Sequence, residues 1–248
     1  LEESVQHSER AGPYRGECAA VSVTPPAPEK SWLENAVIGV SSIAPGMIEV
    51  NGVSGWIALN DIRFLNMKSR ELPLGGVIVE IGSFMGLSSI VMGHSLFEQN
   101  NIDARIYCID AWEGSEEHQE MDVIKSRELY DVFLENINGA DIGYFIYPIR
   151  KWSTEAFEDF EDLSIDLLFV DGDHSFEGCY ADLKNFFPKM KHGGIIIGHD
   201  YMEEWGVPDA VKKFCKEHRL EHRVIPTTHG MYEIQLPPEN DETPKASS

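Results

Sequence analysis

The stretch VIVEIGSFMG, residues 77–86, decides the fold. It opens on an apolar run rich in Val and Ile, the composition of a strand covered on both faces. The run ends at Glu80, and Gly82 and Gly86 follow. Their missing side chains permit a tight turn and let a ligand approach the backbone where the next helix begins. Four later runs share this character: RIYCID (105–110), IGYFIYPI (142–149), IDLLFVD (165–171) and GGIIIGHD (193–200). Longer amphipathic stretches separate them, so the pattern predicts βαβ units and a parallel sheet with helices on both sides.

Working outward, Trp56, Ile57, Leu59, Ile62, Leu65 and Met67 fall at helical spacings. A helix is therefore expected across residues 55–70, before the breaker LPLGG (72–76). Near the other end, PDAVKKFCKEHRLE (208–221) has a helical pattern. Two strand-like runs joined by Thr-Thr-His-Gly then predict a closing hairpin across residues 222–236. The first 30 residues and the last dozen are polar and proline-bearing, so the expected organisation is loose segments at 1–30 and 237–248 around one domain at 31–236.

Composition narrows the partners. Asp and Glu number 42 against 20 Lys and Arg, a net charge of -22. Such a field opposes the counterion release that drives nucleic-acid binding, and it repels anionic lipid. No apolar run reaches the roughly 18 residues of a membrane span. Neither nucleic acid nor membrane is expected as a partner. Cys18, Cys108, Cys179 and Cys215 lack the paired spacing of a zinc site, which suits reduced thiols in a cytoplasmic protein. The sequence begins at Leu1 and shows no signal peptide, as expected of a processed chain or of a piece of a longer one.

In an open parallel sheet, ligands bind beyond the carboxyl ends of the strands, and here those ends are polar. Asp110 closes the second strand, where a carboxylate can accept two hydrogen bonds from a ribose diol or cap a turn. Trp112 can cover an adenine ring or simply pack. Asp171, Asp173, His174, His199 and Asp200 follow the fourth and fifth strands and should converge if those strands are neighbours. That set suits a general base, since an imidazole titrates near neutrality, or a divalent cation held by hard oxygens.

VIVEIGSFMGLSS, IYCIDAWEG, the segment from Ser164 to Tyr201 and the downstream GVPDAV together resemble the class I S-adenosylmethionine-dependent methyltransferases of the methyltransferase-24 type. The resemblance covers residues 50–235 and is most specific from Asp166 to Tyr201. It implies an α/β, Rossmann-like seven-stranded sheet, mostly parallel with an antiparallel C-terminal strand. It also implies S-adenosylmethionine as cofactor: Glu80, Gly82, Ser83 and Gly86 at the methionine end, Asp110 on the ribose, and Ala111, Trp112 and Ser153 near the adenine. Asp171 is shared between cofactor and chemistry. Related branches bind magnesium at positions matching Asp171 and Asp200, with an acid where this chain has His199. The expected reaction is O-methylation of a small-molecule hydroxyl, on a sugar or natural product, with His174, His199 and Asp171 as candidate catalytic residues. A nicotinamide oxidoreductase and a metal-dependent hydrolase are the alternatives, and a homo-oligomer is left open.

Overall fold

The computed structural model describes residues 31–36, 41–44, 47–114 and 128–239. The expected loose N-terminal segment, Cys18 and residues 240–248 of the tail lie outside them. A short helix α1 (Trp32–Ala36) precedes three small strands, β1 (Ser41–Ala44), β2 (Met47–Val50) and β3 (Val53–Gly55), paired antiparallel in that order. The helix α2 (Leu59–Arg70) leads into the main domain. There β4 (Val77–Ile81), α3 (Leu87–Glu98), β5 (Arg105–Asp110), α4 (Leu129–Gly139), β6 (Ile146–Arg150), α5 (Ser153–Ala156), β7 (Ile165–Val170), α6 (Phe176–Phe186), β8 (Met190–Gly198) and α7 (Val207–His218) alternate. The hairpin β9 (Arg223–Ile225) and β10 (Met231–Gln235) ends the sheet.

The seven strands run in the order β6-β5-β4-β7-β8-β10-β9. The first five are parallel, and β10 pairs antiparallel with β8. This is the sheet expected from the sequence, including its reversed terminal strand. Alternate residues of each strand point to opposite faces, so the central strands feed two cores. Ile78 and Phe169 join the layer of α2, α3 and α4, while Val79 and Leu168 join that of α5, α6 and α7. All four are fully buried, which explains why these strands read as continuous apolar runs.

The structure differs from expectation at the upstream helix, which begins at Leu59 rather than Gly55. Residues 53–55 belong instead to β3, and the Asp61 carboxylate accepts from Ala58 N–H at 2.9 Å, fixing the later start. Gly55 lies where a Cβ would meet Leu87 at 2.9 Å, so the small sheet packs closely on the start of α3. That contact carries Gly55, Trp56 and Ile57 to the wall of the main cleft.

Candidate active site

A cleft of about 990 Å³ opens at the carboxyl ends of β4, β5, β7 and β8. Its floor is the turn after β4. Gly82 has φ +88°, and a Cβ there would stand 1.9 Å from the Asp171 carbonyl oxygen at the end of the neighbouring strand, so this position excludes any side chain. Gly86 has φ +89° and starts α3, with its amide held by the Ser83 carbonyl at 2.8 Å. Both glycines line the cleft, as does Ser83.

Glu80 stands behind this turn and does not line the cleft. It is fully buried, and its Oε2 accepts from the hydroxyls of Ser83, at 2.8 Å, and of Ser89. Its part is to brace the turn from below. Burial pushes its carboxyl above the usual carboxylate range, against the pull of the serine hydroxyls. Asp110 does line the cleft. One oxygen accepts from Phe84 N–H at 2.9 Å and the other from Trp112 N–H at 2.6 Å, so the carboxylate ties the first two strand-end turns together. Ala111 lies beside it on the cleft.

Trp112 is placed differently from its expected position beside an adenine. Its ring is 3% exposed, tilts against Tyr130 and Phe133, and donates its indole N–H to the Phe84 carbonyl at 2.8 Å. It is absent from the cleft wall. The exposed aromatic on that side is Trp152, 56% exposed and lining the cleft next to Ser153. Ser153 starts α5 and donates its hydroxyl to Asp182 Oδ1 at 2.5 Å. Burial lifts the Asp182 carboxyl to about 7, with Ser153 pulling against it and Asp173 adding to it.

The residues after β7 and β8 do converge. His174 Nε2 lies 3.1 Å from Asp200 Oδ2, and His199 Nδ1 lies 2.9 Å from the same oxygen and 3.3 Å from Asp171 Oδ1. Asp171, Asp173, His174 and Asp200 line the cleft, whereas His199 is 2% exposed behind them and does not. Asp173 is engaged in its own loop, accepting from Ser175 N–H at 2.8 Å. Two participants were not anticipated. Asp61 on α2 meets His199 Nε2 at 3.4 Å, and His229, in the β9–β10 turn, approaches the same Asp61 oxygen at 3.3 Å and lines the cleft.

Residues 79–201 match the family described as a methyltransferase domain. These residues belong to the methyltransferase-24 family. Among curated proteins, this chain is 30% identical over 123 residues to an uncharacterized protein of Sinorhizobium fredii, covering 50% of this chain and 13% of that one. It is 29% identical over 146 residues to an uncharacterized protein of Acanthamoeba polyphaga mimivirus, covering 56% and 59%. The chain thus spans less than two thirds of either relative. Solved structures of the same fold include the O-methyltransferase NovP, at 19% identity and TM-score 0.56, covering 74% of this chain and 82% of NovP. The SAH-bound Podospora anserina methyltransferase PaMTH1 aligns at 15% identity and TM-score 0.53, covering 73% and 79%. At such identities the likeness is one of fold.

The lining of the cleft fits S-adenosylmethionine: Gly82 and Gly86 place a tight backbone turn at its floor, and the Asp110 carboxylate stands beside that turn on the wall. The acids after β7 and β8 suit magnesium less well. Asp171, His174 and Asp200 bring three donor atoms within 4.8 Å of one another. One of the three is an imidazole nitrogen, and a hard cation prefers oxygens. Both carboxylates are also already engaged by His199 Nδ1, which must carry a proton to bond them. Burial raises Asp200, yet the histidines beside it, His199 foremost, hold its carboxyl below the usual range.

Proposed function

We propose that this protein transfers a methyl group from S-adenosylmethionine to a hydroxyl of a small molecule. The observation that carries the reading is one cleft joining the Gly82–Gly86 floor and Asp110 to the His174–Asp200 pair. Gly82, Ser83 and Gly86 would take the methionine end, Asp110 and Ala111 the ribose side, and Trp152 with Ser153 the adenine. When bound, the cofactor supplies an electrophilic methyl group on a sulfonium.

This chain's residues then orient the acceptor and take its proton. His174 turns Nε2 toward Asp200, which selects the tautomer with its N–H there and leaves Nδ1 as the ring's acceptor. An acid that fixes the tautomer of a histidine base is a recurring catalytic arrangement. His174 would receive the proton of the acceptor hydroxyl on Nδ1, the free ring nitrogen that its contact with Asp200 leaves. Asp171, at the junction of floor and base, would position the acceptor between them. His199 lies behind the wall, so the base role passes to His174. Ile57, Met202 and Trp205 line the same cleft and favour a largely apolar acceptor skeleton such as a natural product.

The test is transfer of labelled methyl from S-adenosylmethionine to a panel of phenols, sugars, carboxylates and amines. Label on a hydroxyl acceptor is the expected result. Transfer to carboxylates or amines alone would contradict the hydroxyl assignment.

A further inference from the structure

We propose that His199 is a resident cation that stands in for a divalent metal behind the ends of β7 and β8, gathering Asp61, Asp171 and Asp200 around a ring protonated on both nitrogens. The argument is an inventory of hydrogens. Nδ1 faces Asp200 Oδ2 at 2.9 Å and Asp171 Oδ1 at 3.3 Å, and Nε2 faces Asp61 Oδ2 at 3.4 Å. An ionised carboxylate accepts and never donates, and a neutral imidazole carries a single N–H. A neutral ring would therefore press one lone pair against an acceptor in a place that is 2% exposed. Two N–H groups instead turn a donor toward each of the three acids.

The acids arrive from three elements: Asp61 from α2, Asp171 from the end of β7, and Asp200 from the end of β8 in a left-handed conformation at φ +54°. Such a φ is uncommon outside glycine and aspartate or asparagine, and it turns the Asp200 carboxylate back toward the ring. Three carboxylates gathered this closely, one of them buried, would repel one another if unpaired, and a divalent ion is one way to hold them. Here a side chain does it.

One consequence follows for the site. Asp200 Oδ2 serves His199 and His174 together, so the buried cation fixes the acid that orients the proposed base. That consequence rests on the methyl-transfer reading, whereas the metal prediction does not, and the two can fail separately.

The test titrates magnesium or manganese chloride alone, by calorimetry, into the full chain and into His199→Asp. The wild type should give no site-specific heat. His199→Asp, which removes the cation and adds an acid, should acquire a one-to-one site that Asp200→Asn abolishes. One-to-one metal binding by the wild type, lost on Asp171→Asn or Asp200→Asn, would overturn the proposal. So would a folded His199→Asp that binds no metal. If His199→Asp does not fold, His199→Asn supplies the readout: its melting temperature should rise with added magnesium while that of the wild type stays put, and equal responses would overturn the proposal.

Discussion

Replacing Gly82 by Ala tests whether the floor of the cleft is as tightly determined as its geometry indicates. An ideal Cβ at this position lies 1.9 Å from the Asp171 carbonyl oxygen and 2.6 Å from its carbon, both backbone atoms that cannot swing aside. Ordinary van der Waals contact requires the two to part by about 1.5 Å. That displacement would strain the bonds from Gly82 N–H to the Ile109 carbonyl and from Asp171 N–H to the Ile81 carbonyl, each 2.9 Å. A left-handed φ on a residue with Cβ costs about 1–2 kcal/mol and overpacking about 1–3 kcal/mol, so the expected destabilisation is about 2–5 kcal/mol. Gly193→Ala is the control, because Gly193 has φ +73° but nothing within 4 Å of its Cβ position. It should lose the conformational part alone, about 1–2 kcal/mol. Urea denaturation of both variants gives the difference, and calorimetry with S-adenosylhomocysteine reports on the floor itself. Gly82→Ala with the stability of Gly193→Ala and unchanged ligand affinity would refute the reasoning.

Three further outcomes are expected. His174→Gln should lower turnover by about 100-fold or more while leaving cofactor affinity within a factor of a few, and steady-state kinetics with calorimetry would reveal a merely structural histidine if both changed together. Trp152→Ala should weaken cofactor binding by about 0.5–1.5 kcal/mol, the value of an aromatic contact, and Trp112→Ala should instead reduce stability, as seen by thermal melting. Asp182 is held up to about 7 in the folded chain against an ordinary 3.8, so its ionisation costs no stability below pH about 4 and the full cost above about 7. Stability should therefore fall across that window, and Asp182→Asn should flatten the slope in urea titrations at several pH values. An equal slope in both proteins would count against the assignment.

Much of this fold is legible because the central strands are buried on both faces and carry continuous Val, Ile and Leu. The closing hairpin is equally plain, since its turn residues separate two strand-like runs. The small sheet ahead of α2 is not, because MIEV and VSG are short and half polar. Its one clear signal is Asn51-Gly52, with φ of +53° and +83°, the residue pair that favours a tight hairpin turn. At the site, strand order alone brings Asp171, His174 and Asp200 together. Side-chain direction is another matter: Trp112 turns into the core through a left-handed backbone at φ +51°, and Trp152 faces the cleft instead. Asp61 reads locally as a helix-capping acid, and His229 as a turn residue. Their meeting at His199 joins residues 61, 199 and 229, a long-range contact that no local pattern announces.

The central claim, that the cleft over Gly82 and Gly86 holds S-adenosylmethionine with Asp110 at its ribose, is tested most directly by titrating S-adenosylhomocysteine into the wild type and Asp110→Ala. The wild type should bind one equivalent. The variant should bind about 1.5–3 kcal/mol more weakly, the range for losing charge-assisted hydrogen bonds. Because Asp110 also ties Phe84 and Trp112, denaturation of the same variant must show that it remains folded under the conditions of the titration. No binding by the wild type, or equal affinity in a folded Asp110→Ala, would contradict the account.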